Sequence, residues 1–271
     1  MNVVNANFFT WLKLNFKVVN LLLAINLILG ALTTFFAISV FQGNTSLSLV
    51  LFGAQILPGT DPPFSAMSLD LWRFITAAFL HGGILHLLFN MYALYSIGGF
   101  VERFYGGKKL FIVYLLTALT GSLASFGGAL FELWSNSGTT VGLVTSVGAS
   151  GAVFGLVGLL LGNKFLKRNT YGPELNFDVN SLIWVVAINL FLGFSINSFG
   201  SGVAINNWAH IGGLLGGFGL GALLETKNTL DISKFKKVLE KVLFILAILL
   251  FVGAWCFNIV SIFSLTLSLI R

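Results

Sequence analysis

From Val18 to Phe41 the chain carries no charged side chain. A bilayer core of about 30 Å is crossed by about 20 helical residues. In hydrocarbon every backbone N–H and C=O must be paired within the protein, so a run of this kind has helix as its natural fold. It is longer than the apolar region of a secretory signal, about 7–15 residues, and is therefore read as a span. Six further runs follow, at roughly 80–101, 110–131, 150–163, 180–196, 208–224 and 242–268. The fourth and sixth are short for a full crossing. The fold class is thus an all-α polytopic membrane protein.

Cations settle the expected orientation. With the N-terminus in the cytoplasm, every lysine and arginine except Arg73 and Arg271 falls in a cytoplasmic segment. This is the positive-inside pattern, and an error of one span would invert every later loop. The net charge of +6 therefore belongs to cytoplasmic loops, and no nucleic-acid face is expected. Only 9% of the residues are charged, against about 25% in an ordinary soluble domain. The single cysteine, Cys256, lies in an apolar run and is read as a small packing or lipid-facing residue.

The organisation expected is an interfacial N-terminal segment at 1–17, a six-helix core at 18–225, and a charged linker with a seventh helix at 226–271. The stretch NFFTWLKLNFK is expected at the cytoplasmic headgroups. The first external loop, about 42–79, contains Asp61-Pro62-Pro63, Asp70 and Trp72-Arg73. Its aromatic and apolar residues suggest a folded loop in the membrane interface.

Polar residues inside spans are expensive and mark function by default. Ser150 lies 14 residues before Lys164, His210 lies 15 before Glu225, and His86 lies 16 before Glu102. At 1.5 Å per residue these are about 21, 22 and 24 Å. Three helices thus hold a serine and two histidines at one depth, nearer the external face. Asn90 follows His86 by four residues and shares its helix face.

A serine hydroxyl is a weak nucleophile until a base accepts its proton, and His210 is the natural base. All nine acidic residues lie in loops or at span ends, so a Ser–His dyad is expected. Acyl transfer needs donors aimed at the developing oxyanion. His86 and Asn90 carry such donors, and a helix beginning at Ser150 has free N–H groups at its start. Gly148 allows the tight entry turn. Glycines recur at helical spacing: Gly151, Gly155, Gly158 and Gly162 on the fourth helix, Gly213, Gly217 and Gly221 on the sixth. Such stripes let helix backbones approach closely in lipid. No metal is expected, because His81 and His86 share no helix face well and no HExxH pattern is present.

GASG at 148–151, AHIGGLLGG at 209–217, HGGILHLLFN at 81–90 and Trp72-Arg73 together resemble the rhomboid intramembrane serine proteases, in order over 72–221. The extra C-terminal helix looks like the six-plus-one form of that family. The resemblance implies Ser150 as nucleophile and His210 as base. It implies His86 and Asn90, with the backbone N–H groups of Ala149 and Ser150, as oxyanion stabilisers. Glu102 with Arg103, and Trp72 with Arg73, match structural sites; His81 matches a further structural histidine. Where many members stack a tyrosine on the catalytic histidine, this chain has Phe154. The implied substrates are single-pass transmembrane proteins, met in membrane lipid, with no cofactor. The compact tails suggest a bacterial inner membrane, the depth of the polar residues an active site opening outward, and family analogy the 172–207 region as the gate to substrate entry. The alternatives are an inactive relative that binds membrane clients, and a transporter. A transporter would need an ionisable pathway through the membrane centre, which the single depth of the polar residues does not provide.

Overall fold

The computed structural model describes residues 17–59, 64–135, 143–166, 179–198, 205–227, 229 and 232–270. The N-terminal segment before Lys17, Asp61-Pro62-Pro63 and most of the loop ahead of the fifth span lie outside the described residues.

The spans become helices α1 (Val18–Ser39), α4 (Ile84–Tyr105), α5 (Gly107–Ser135), α6 (Ser150–Leu166), α7 (Val179–Ser198), α8 (Asn207–Leu223) and α9 (Lys234–Ile270). The long loop between α1 and α4, loop one, holds the short helices α2 (Thr45–Leu51) and α3 (Arg73–Thr76) and the strand β1 (Gln55–Ile56). Strand β2 (Thr145–Ser146) precedes α6. Among the described residues, α1, α4, α5 and α9 are long and apolar enough to cross a bilayer, and α6 and α7 contain shorter apolar helices.

Two boundaries differ from the hydropathy reading. The second span starts as a helix only at Ile84, because Gly83 is extended (φ 168°, ψ 167°) and leaves His81 in the preceding loop. The seventh helix starts at Lys234, inside the segment read as linker. Lysine, glutamate and leucine are good helix formers, so the helix runs on after hydropathy falls.

Helix α6 is the centre of the bundle: every residue from Gly151 to Asn163 is buried. This explains its length, since a helix wrapped by protein need not match the bilayer. It packs most extensively on α8, and α5 closes against both. Tyr114, Leu110 and Leu115 of α5 and Leu156 and Leu159 of α6 are completely buried in the core.

Loop one is tied to this centre. β1 pairs antiparallel with β2, Gln55 opposite Ser146 and Ile56 opposite Thr145. The Arg73 guanidinium, 1% exposed, bonds the Asp70 carboxylate at 2.9 Å and the carbonyls of Val50 and Ala54 at 2.8 and 3.1 Å. It also stacks over the Trp72 ring at 4.3 Å. Burial lowers the Arg73 pKa, and Asp70 opposes the shift. At the other end of the bundle, Glu102 accepts the backbone N–H groups of Val18 and Val19 at 2.7 and 3.0 Å. A carboxylate from α4 thus caps α1, where two donors lack an intrahelical acceptor. Arg103, expected beside Glu102, is exposed and lies over Phe104 instead.

Helix α9 docks on the outer side of α5 and α3. Phe251 and Trp255 meet Phe79 edge-on, at 5.6 and 6.1 Å between ring centroids. Asn258, 1% exposed, points its amide at the Leu51 carbonyl, 3.4 Å away.

Candidate active site

Ser150 is the first residue of α6, and His210 sits one turn into α8. Their side chains meet: Ser150 Oγ lies 2.9 Å from His210 Nε2. The other ring nitrogen, His210 Nδ1, has no hydrogen-bond partner among the described residues. Among the described residues Ser150 and His210 thus form a pair, with no carboxylate bonded to His210 Nδ1. The Phe154 ring lies flat on the imidazole, 4.3 Å between centroids and 2° between planes. Phe154 is one turn along α6 from Ser150, so the helix that carries the serine also carries a wall for its partner.

Backbone contact between helices makes this reach possible. A Cβ on Gly213 would collide with the Gly151 carbonyl, and one on Gly217 with the Gly155 carbonyl. Gly155 itself turns its open side toward Thr117 of α5, so it serves a three-helix junction rather than the α6–α8 seam alone. Gly121 of α5 belongs to the same junction: a Cβ there would sit 2.9 Å from the Ala209 carbonyl. The sequence reading missed Gly121, Gly212 and Gly216, which bring α5 against α8. Gly212 and Gly216 stand beside the stripe that was read, and only the rotation of α8 shows that they matter.

Gly148 has φ +133°, a region that side chains with a Cβ rarely adopt. Its N–H donates to the Ala77 carbonyl at 3.0 Å, pinning the turn before Ser150 to loop one. A Cβ at Gly148 would lie 2.8 Å from His86 Nε2 and 3.6 Å from Ser150 Oγ. His86 and Ser150 thus border the same small space. The Ala149 carbonyl accepts the Val153 N–H at 2.9 Å, so the α6 ladder starts here and its first N–H groups have no intrahelical acceptor.

Asn90 is buried close by, with its amide directed back to the His86 carbonyl at 2.9 Å. This bond braces the first turn of α4 beside His86. The His81 ring meets His86 edge-on at 5.1 Å, and neither of its nitrogens has a hydrogen-bond partner among the described residues. Among the described residues no cluster of His, Cys, Asp and Glu is arranged to hold a metal ion. A cavity of about 30 Å³ lies beneath the turn, between Ala77, Ser122, Ser146, Gly151 and Asn206.

The family model for the Rhomboid domain matches residues 68–227, from loop one to just past the end of α8. The chain belongs to the rhomboid family. It is 36% identical over 191 residues to the rhomboid protease GluP of Bacillus subtilis, covering 70% of this chain and 32% of that protein. It is 32% identical over 232 residues to RHOMBOID-like protein 4 of Arabidopsis thaliana, covering 82% and 52%. Rhomboid-like protease 3 of Toxoplasma gondii is 32% identical over 193 residues, covering 71% and 64%. The chain thus spans about a third of the first of these relatives and about half of the second. Family and apolar helices together make it an integral membrane protein with an all-α rhomboid fold.

Proposed function

We propose that this chain is an intramembrane serine endopeptidase that cuts single-pass membrane proteins in or near their transmembrane segments. The observation that carries the reading is the 2.9 Å contact between Ser150 Oγ and His210 Nε2 under the Phe154 ring. A neutral imidazole with its proton on Nδ1 presents Nε2 as acceptor to the Ser150 hydroxyl. As the hydroxyl oxygen attacks the scissile carbonyl, Nε2 takes its proton. The oxyanion that forms meets N–H groups at the start of α6, with the helix dipole in its favour. His86, beside Gly148, and Asn90, one turn further along α4, are the side-chain donors for this oxyanion. His210 then protonates the departing amine, and water hydrolyses the acyl-enzyme. The expected setting remains a bacterial inner membrane with the N-terminus in the cytoplasm and the site opening outward.

The test is covalent labelling by a fluorophosphonate, with cleavage of a panel of single-pass substrates in detergent and in cells. Ser150→Ala and His210→Ala are each expected to abolish both. Cleavage that persists in either purified variant sinks the assignment. A wild type that takes no label and cuts nothing, yet retains bound membrane clients, indicates a non-catalytic binder instead.

A further inference from the structure

One polar side chain joins the element carrying His210 to the element leading to Ser150, and no motif of the resemblance contains it. Asn206 precedes α8. Its Oδ1 accepts the Ala209 N–H at 3.1 Å, capping the helix, and its backbone carbonyl accepts the His210 N–H at 3.3 Å. Its amide nitrogen donates to Ser125 Oγ of α5 at 2.5 Å and to Ser146 Oγ of β2 at 3.0 Å. Ser146 is paired with Gln55 across the two-stranded sheet and stands four residues before Ser150. The base helix is therefore tied by one residue to the strand that delivers the serine and to α5 behind both.

Glycine contacts seat α8 on α5 and α6, but the edge of α8 toward β2 is less closely filled. The cavity of about 30 Å³ lies between Asn206, Ser146, Ala209 and Gly151, where atoms would otherwise fix the separation of β2 from α8. Hydrogen bonds across that edge therefore add to the glycine contacts in holding the first turn of α8 in register.

We propose that Asn206 is a positioning residue for the Ser150–His210 pair, acting through the N-terminal turn of α8 and not by touching substrate. The inference rests on the protease reading above. Displacement of a catalytic group by about 1 Å can cost up to about 100-fold in rate. Losing the Asn206 links should therefore lower turnover far more than substrate binding.

The experiment uses the full chain in detergent and in lipid nanodiscs. It compares wild type, Asn206→Ala, Asn206→Asp and, as a control remote from the site, Asn258→Ala. Readouts are fluorophosphonate labelling rate, kcat and KM on one transmembrane substrate, and thermal midpoint. Asn206→Ala is expected to lower labelling rate and kcat by about 10- to 100-fold, with KM within about twofold. Asn206→Asp keeps the cap acceptor and can accept from the Ser125 and Ser146 hydroxyls, so most activity should return. Asn258→Ala should lower the midpoint with kcat unchanged. The proposal is overturned if Asn206→Ala labels and turns over like wild type. It is equally overturned if Asn258→Ala loses kcat as Asn206→Ala does, or if Asn206→Asp gives no rescue. A wild type that takes no label overturns the protease reading and this inference with it; a labelled wild type with an unaffected Asn206→Ala overturns this inference alone.

Discussion

Phe154 shows what a single ring can do to hold a histidine. The imidazole has one polar partner, Ser150, and its Nδ1 side is left without one among the described residues. The stacked face is what restrains its tilt. Aromatic stacking is worth about 0.5–1.5 kcal/mol beyond area burial. Phe154→Ala is therefore expected to slow labelling of Ser150 by roughly two- to tenfold or more, while Phe154→Tyr keeps the ring and stays near wild type. Labelling rates on purified variants at one pH decide this. Gly148 has a sharper constraint. Gly148→Ala must hold φ +133° and place a methyl against the His86 ring. Strained backbone of this kind costs about 1–3 kcal/mol. Loss of labelling with the bundle still folded by circular dichroism is the expected result.

Helices α6 and α8 are placed by what they lack. Gly217 faces the Gly155 backbone carbonyl, which cannot move aside without shifting a helix, whereas Gly219, on the same helix, faces open space. Gly217→Ala should push the helices apart, lower the thermal midpoint by an amount equivalent to about 1–3 kcal/mol, and separate Ser150 from His210. Gly219→Ala should be neutral or mildly stabilising, since alanine favours a helix interior by about 0.5–1 kcal/mol over glycine. Equal behaviour of the two variants in a thermal melt would refute the backbone-contact account. The glycine spacing was legible in the sequence; the partner of each glycine was not. Spacing shows that a stripe exists, but the angle at which a helix is rotated decides whether the open side of a given glycine faces α8 or, as for Gly155, α5.

At the scale of the molecule, α9 braces loop one. Lys109 of α5 bonds the Glu225 carbonyl at 2.6 Å and pairs with Glu240 of α9 at 2.9 Å, and Lys236 of α9 pairs with Glu225. At the opposite end Asn258 reaches Leu51, and Phe251 and Trp255 pack on Phe79, in the short turn before His81. Lys109 is partly buried, and a typical hydrogen bond contributes about 0.5–1.5 kcal/mol. Lys109→Met should therefore lower the thermal midpoint while the isolated α5–α6–α8 geometry, and with it labelling of Ser150, survives. A labelling loss as large as the loss of stability would show that α9 also shapes the active site.

Hydropathy alone determined that this chain is a bundle of membrane helices, and counting along the chain set Ser150, His86 and His210 at similar distances from charged residues. Those are local properties: each depends on a run of neighbours and on a fixed rise of 1.5 Å per residue. Tertiary structure decided the rest. Asn90 turns back on its own helix, Glu102 caps α1 without Arg103, and Asn206 joins three elements. Each depends on helix rotation and on chain segments far apart in sequence: Glu102 reaches across 84 residues to Val18, and Asn206 across 81 to Ser125. Periodicity places a residue on a face of its helix, but only the packed bundle says what that face meets.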